Sequence, residues 1–232
     1  MTSWLTAAFI GARVALRRLG GRSTLFITLG AVSFCTLAAW AERHANATTA
    51  ASNALRGPGF GLAIPLAVLS LVTVALARTR LDEAVGGVAI LGGNRRAAVM
   101  GALAGTSLIA ALLGTVIATT TALIAHNQIH GAMLSDAWTA GWIGGLTGAV
   151  YAFYFGAFSS VGKRGGGRII GLLGDLILGP LTGTAAVLFP RAHALNLLGA
   201  APVLELPQLA STAILAGMLG VFASAAMLRT RA

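Results

Sequence analysis

The chain has 232 residues, of which 56% are hydrophobic and only 9% charged, against roughly 25% charged residues in a soluble domain. So few charges cannot cover the surface of a soluble fold, and a bundle of membrane spans is expected to use up the whole length as one domain. The net charge of +10 would suit nucleic acid if the cations clustered on one face, but they stand in small groups at the ends of apolar stretches, so no nucleic-acid partner is expected. Cys35, the single cysteine, lies in an apolar run, which excludes a disulfide framework or a cysteine-rich zinc site. Every basic residue but Lys163 is arginine, and together with the Ala and Gly richness this points to a GC-rich bacterial genome and a bacterial cytoplasmic membrane.

The leader, residues 1–22, comes first. On a helical wheel of about 100° per residue, Trp4, Leu5, Ala8, Phe9, Ala12, Ala15, Leu16 and Leu19 fall on one arc, with Arg13, Arg17 and Arg18 outside it. An amphipathic helix of this kind suits the membrane interface, with arginines towards anionic lipid.

A crossing helix needs about 20 residues, and a central charge costs about 2.5–3.5 kcal/mol. Gaps between charges therefore predict the spans, at 23–41, 57–77, 97–125, 137–161, 169–189 and 208–228, with Asp175 the one acid inside them. The basic start, the apolar run from Leu25 and Ala39-Trp40-Ala41 also resemble a secretory signal, but the segment is read as a retained first span. The long third gap is read as one helix leaving the membrane at His126-Asn127-Gln128-Ile129-His130-Gly131. The fold class expected is all-α, a polytopic membrane protein with six transmembrane helices and an N-terminal amphipathic interfacial helix.

With both ends inside, thirteen of the 16 basic residues are cytoplasmic, and only Arg43, Arg56 and Arg191 lie outside. The positive-inside rule supports that arrangement.

Between spans two and three, Arg80-Leu81-Asp82-Glu83 opens with acids that suit a helix N-terminus. Leu81, Val85, Val88 and Leu91 follow at spacings of three and four, and Gly92-Gly93 stops the run. This predicts a short cytoplasmic helix whose apolar stripe packs on a partner, on its own bundle or on lipid. The Gly-rich basic loop 162–168 lacks the order of a P-loop and any preceding strand, and reads as a tether beside anionic lipid. The stretch 189–207, with Pro190, His193 and Asn196, is too apolar for a free loop and predicts a helix folding back on the bundle.

The amphipathic leader, the six spans, the helix with Arg80, Glu83, Leu91 and Arg95 and the broken outer helix together resemble the permease subunits of type 2 ABC transporters. Gly92-Gly93 departs from the proline that often stands before the second arginine in that family. The resemblance implies that Arg80, Leu81, Glu83, Val85, Val88 and Leu91 form a coupling helix that docks on a separate ATP-binding subunit. It also implies that Pro190, His193 and Asn196 belong to an outer hairpin closing the exit. A second copy of the permease or a related one, membrane lipids, and ATP with Mg in the partner are implied in the same way, with no cofactor in this chain.

Among candidate polar residues, Asp175 is a functional or a structural intramembrane acid, and Thr119 and Thr120 either line a pathway or pack. Gly101, Gly105, Gly141, Gly145 and Gly148 make small-residue faces suited to internal or dimer packing. Two rivals stand beside the transporter reading. A secondary transporter or channel would show broken spans, for which Pro65 and Pro180 are the candidates. An intramembrane serine protease would need Ser159 or Ser160 beside a histidine, but His126, His130 and His193 are expected at the opposite face.

Overall fold

The computed structural model describes residues 4–45, 49–90, 93–126 and 133–230, and every regular element among them is helical. Helix α1 (Trp4–Leu19) turns at Gly20-Gly21 into α2 (Arg22–Ala45). Helix α3 covers Ala50–Ala75. Two short pieces follow, α4 (Leu81–Ala84) and α5 (Gly86–Ile90), then the long pair α6 (Arg95–Ala125) and α7 (Met133–Phe158). The last are α8 (Gly167–Leu178), α9 (Pro190–Leu197) and α10 (Gln208–Arg229).

Four of these, α2, α3, α6 and α10, are long and apolar enough to cross a membrane. Helix α7 has 26 residues, which at about 1.5 Å each also exceeds the hydrocarbon thickness; its glycines, tyrosines and tryptophans lower its hydropathy. The span expected at 169–189 is corrected. Helix α8 has only 12 residues, about 18 Å of rise, and stops before Gly179-Pro180. The chain then passes through a 3₁₀ turn at Thr184–Leu188 into α9. The cause is local: Pro180 has no N–H to continue the helix and restricts the residue before it.

Helix α3 starts earlier than its charge-free gap because Arg56 lies inside it. Its segment Leu55–Ala63 is π-helical around Pro58, a wider turn that accommodates a residue with no N–H to give.

The centre of the bundle is the antiparallel pair α6 and α7. A Cβ at Gly144 would strike the Gly114 carbonyl, and one at Gly148 the Ala110 carbonyl. Thr115 and Thr119 fill the spaces over Gly145 and Gly141, so the small-residue face of α7 serves internal packing. Gly101 and Gly105 of α6 face Ala8 and Ala12 of α1, and Gly11 meets Ala98.

That crossing revises the faces expected of α1. Its buried residues are Ala7, Gly11, Ala15 and Leu19, while Trp4, Leu5, Phe9 and Leu16 are exposed. Small residues let α1 approach α6 closely, and Trp4, Leu5, Phe9 and Leu16 point away from the protein.

Candidate functional sites at the two ends of the bundle

At one end of the bundle, arginines tie the connections to helix ends. Arg18 Nη1 donates to the carbonyls of Ala75 at 2.9 Å and Ala84 at 3.4 Å. Arg80 Nη2 donates to Ser160 O at 3.0 Å. Arg168 donates from Nε to Gly165 O at 3.0 Å and from Nη2 to Thr79 O at 2.5 Å. Three of these acceptors, Ala75, Ala84 and Ser160, lie at or just past helix C-termini, where carbonyls lack intrahelical partners and cations are favoured.

Within this frame the segment expected to be one helix over 81–91 is two short helices broken at Val85. The Arg80 N–H donates to Glu83 Oε2 at 3.2 Å, closing the first turn. Leu81 is 1% and Val85 4% exposed, so these two side chains pack within this chain and are not free to dock. Val88 is half-buried and lines a cavity of about 310 Å³ with Ile10, Val14 and Arg18. Outward stand Glu83, Gly87 and Ile90, the last 87% exposed. Leu91 lies outside the described residues.

At the opposite end, α9 is held at both termini. Asp175 is fully buried and accepts from Tyr151 Oη at 2.6 Å and from the Arg191 N–H at 3.3 Å. Its carboxyl thus caps the N-terminus that Pro190 opens. The contact with Arg191 runs through its backbone N–H and not through its guanidinium. Arg56 donates from Nη2 at 2.7 Å and Nε at 3.2 Å to Leu198 O at the other end. Acid at the N-terminus and base at the C-terminus complement the helix dipole. Gly199, at φ +75°, lets Ala200 N–H reach Leu195 O at 2.9 Å, which closes the helix.

His193 and Asn196 are buried on the inner side of α9. His193 Nε2 lies 2.9 Å from Val187 O and Nδ1 3.3 Å from Ser211 Oγ. Asn196 Nδ2 donates to Ser211 Oγ at 2.8 Å and Leu206 O at 2.9 Å. One consistent assignment has Asn196 donating to Ser211, Ser211 donating to Nδ1, and Nε2–H donating to Val187. Burial pushes the His193 imidazole below its usual range, against the opposing Val187 carbonyl, and the neutral ring suits this chain of bonds. The hairpin is thereby fastened to α10.

The hydroxyls of the remaining candidates bond to backbone carbonyls. Thr119 Oγ1 donates to Ala137 O at 3.4 Å, and Thr120 Oγ1 to Val116 O at 2.7 Å. Ser159 and Ser160 donate to the carbonyls of Gly156 and Ala157. The histidine that meets a serine is His193, with Ser211, and both are fully buried. His130 lies outside the described residues.

The reading from residues alone did not single out Tyr151, Tyr154 or Arg56. The two tyrosines of the chain both lie in α7, and Tyr154 Oη donates to Gly171 O at 2.8 Å. A phenol in an apolar span needs a hydroxyl partner, and that requirement was the available signal.

The chain matches no protein-family model and no curated protein sequence.

Proposed function

We propose that the chain is the transmembrane permease subunit of an ATP-driven exporter, working beside a second permease copy and a separate ATP-binding subunit. The arginine-rich end is cytoplasmic by the positive-inside rule, which places both termini and α4–α5 inside and the α9 hairpin outside. Helix α1 then lies near the inner interface with Trp4, Leu5 and Phe9 in lipid. Six crossings are counted by letting α8 and the segment 179–189 complete the fifth between them, ahead of the hairpin.

One observation carries the proposal: α4–α5 is mounted on the bundle by arginines from three separate places while presenting Ile90 outward. Arg18 joins it to α1, Arg80 to the end of α7, and Arg168 joins the loop before it to the start of α8. A push or pull on Ile90 is passed to several spans at once, which suits rigid-body switching driven from outside the membrane.

The docking face accordingly shifts from Leu81 and Val85 to Glu83, Gly87 and Ile90. The experiment is co-purification from the native host. An ATP-binding cassette protein is expected to accompany the wild-type chain and be lost from Ile90→Asp, with Val161→Asp as a control on another exposed apolar site at the same end of the bundle and outside the spans. No ATPase in the complex, or its full retention by Ile90→Asp, overturns the proposal.

A secondary transporter is the second reading, favoured by two broken spans: the π segment around Pro58 and the stop at Gly179-Pro180. Uptake or efflux in vesicles driven by an ion gradient without ATP would establish it instead.

A further inference from the structure

We propose that the groove between α2 and α3 holds one anionic phospholipid, with its phosphate among Arg78, Arg164 and Arg168 and an acyl chain along the helices. The inference rests on the chain crossing a membrane and not on its being a transporter.

A cavity of about 680 Å³ lies between the start of α2, the end of α3 and the turn from α7 into α8. The three arginines share its wall with Ser70 and Thr73, and none of the lining residues is acidic. Arg168 is only 3% exposed, and its Nη1 has no hydrogen-bond partner, although Nε and Nη2 are both engaged. A buried guanidinium with an unbonded N–H is costly, and an anion held in the cavity beside it would offset its charge. Arg78 and Arg164 adopt φ of +60° and +52°, a region that long side chains seldom occupy and that often marks ligand sites.

The cavity continues into an apolar groove of about 470 Å³, with Phe26, Ile27 and Ser70 common to both. The groove reaches Phe34 on α2 and Leu62 on α3. From Ser23 to Phe34 the helix rises about 16 Å, roughly half of the 30 Å hydrocarbon core. The groove therefore has the depth of one leaflet, with its basic end at the level of headgroups. Phe26 is 71% and Leu66 43% exposed, so the groove opens sideways to the bilayer and a lipid enters without crossing water. Basic pockets between membrane helices are suited to anionic headgroups. A free phosphate would have no use for the groove, and an apolar helix from a second copy would leave the arginines unpaired.

The test is native mass spectrometry of the full-length protein released from mixed micelles of phosphatidylglycerol and phosphatidylcholine. One phosphatidylglycerol per chain is expected to persist in preference to phosphatidylcholine. Arg78→Gln with Arg164→Gln, both at exposed positions, should weaken retention about thirtyfold at unchanged melting temperature. Leu66→Trp, which plugs the groove and leaves the arginines, should also release the lipid. Equal retention of the two lipids means annular lipid only and overturns the proposal. Displacement by glycerol phosphate alone overturns it in favour of a free-phosphate site, and a dimer that excludes phosphatidylglycerol overturns it in favour of a second copy.

Discussion

Helices α2 and α7 are of similar length, 24 and 26 residues, yet they occupy opposite places in the molecule. In α2 only Cys35 and Ala39 are buried, and Leu25, Phe26, Leu29, Leu37 and Trp40 are all exposed. In α7 most residues from Ala137 to Ala157 are buried. Of the two, α2 is the one whose length and composition mark it as a candidate span. The contrast has a physical origin. In a bilayer, lipid is as apolar as leucine, so helix association depends on close backbone approach and polar bonds. The central helix α7 accordingly carries five glycines and both tyrosines, whereas α2 at the edge has one glycine and no tyrosine.

The largest effect is expected from added bulk on the glycine face of α7. In Gly144→Val the new Cβ meets the Gly114 carbonyl and the Ala118 side chain. Neither is a flexible side-chain end, so α6 and α7 must separate along their length. The cost should exceed the roughly 1–3 kcal/mol of ordinary overpacking. The expected result is loss of folded, monodisperse protein in detergent, read by size-exclusion chromatography of a fluorescent fusion. A wild-type profile would mean that the close crossing of α6 and α7 is not what holds the bundle together.

Charge placement made α2, α6 and α10 legible in the sequence within a few residues, because a charge in hydrocarbon is expensive whatever surrounds it, but it missed the first seven residues of α3, where Arg56 lies inside the helix. It could not see the stop of α8, since Gly179-Pro180 interrupts a helix without carrying charge. Periodicity found the stripe of Leu81 and Val85 but not the body that covers it. The same limit applied to α1, where one wheel carries both a bulky arc and a small-residue arc. Which of them turns inward is decided by glycines 93 positions further on, at Gly101 and Gly105, which face Ala8 and Ala12. The clamp on α9 was half legible: Asp175 stood out as an intramembrane acid, whereas Arg56 looked like an ordinary loop cation.

Polar bonds are the second device that separates α7 from α2, and Asp175 tests them with a smaller effect. Asp175→Leu leaves the Tyr151 hydroxyl and the Arg191 N–H without their acceptor in a buried place. Each orphaned group costs about 1–3 kcal/mol, so a lowered melting temperature and a loosened hairpin are expected. Asp175→Asn keeps an acceptor oxygen for Tyr151 and should retain most of the stability. If the permease reading holds, Asp175→Asn also keeps transport, because the carboxyl caps α9 instead of carrying a proton. Transport lost in Asp175→Asn at normal assembly would make the acid functional.

The smallest effect is expected on α2. Leu29 is 54% exposed, and Gly30 beside it has no neighbour within reach of a Cβ. Surface substitutions away from special features usually stay within about 0.5 kcal/mol. Leu29→Ala should therefore leave the melting temperature of the monomer in detergent unchanged, whereas a Leu→Ala change in a packed core costs about 2–5 kcal/mol. The same variant measured after reconstitution at high protein density sharpens the contrast further. An unchanged melting temperature there leaves lipid as the only neighbour of this face. A drop that appears only at high density shows a second copy packing against α2, the position expected if two permeases meet along their least buried helix.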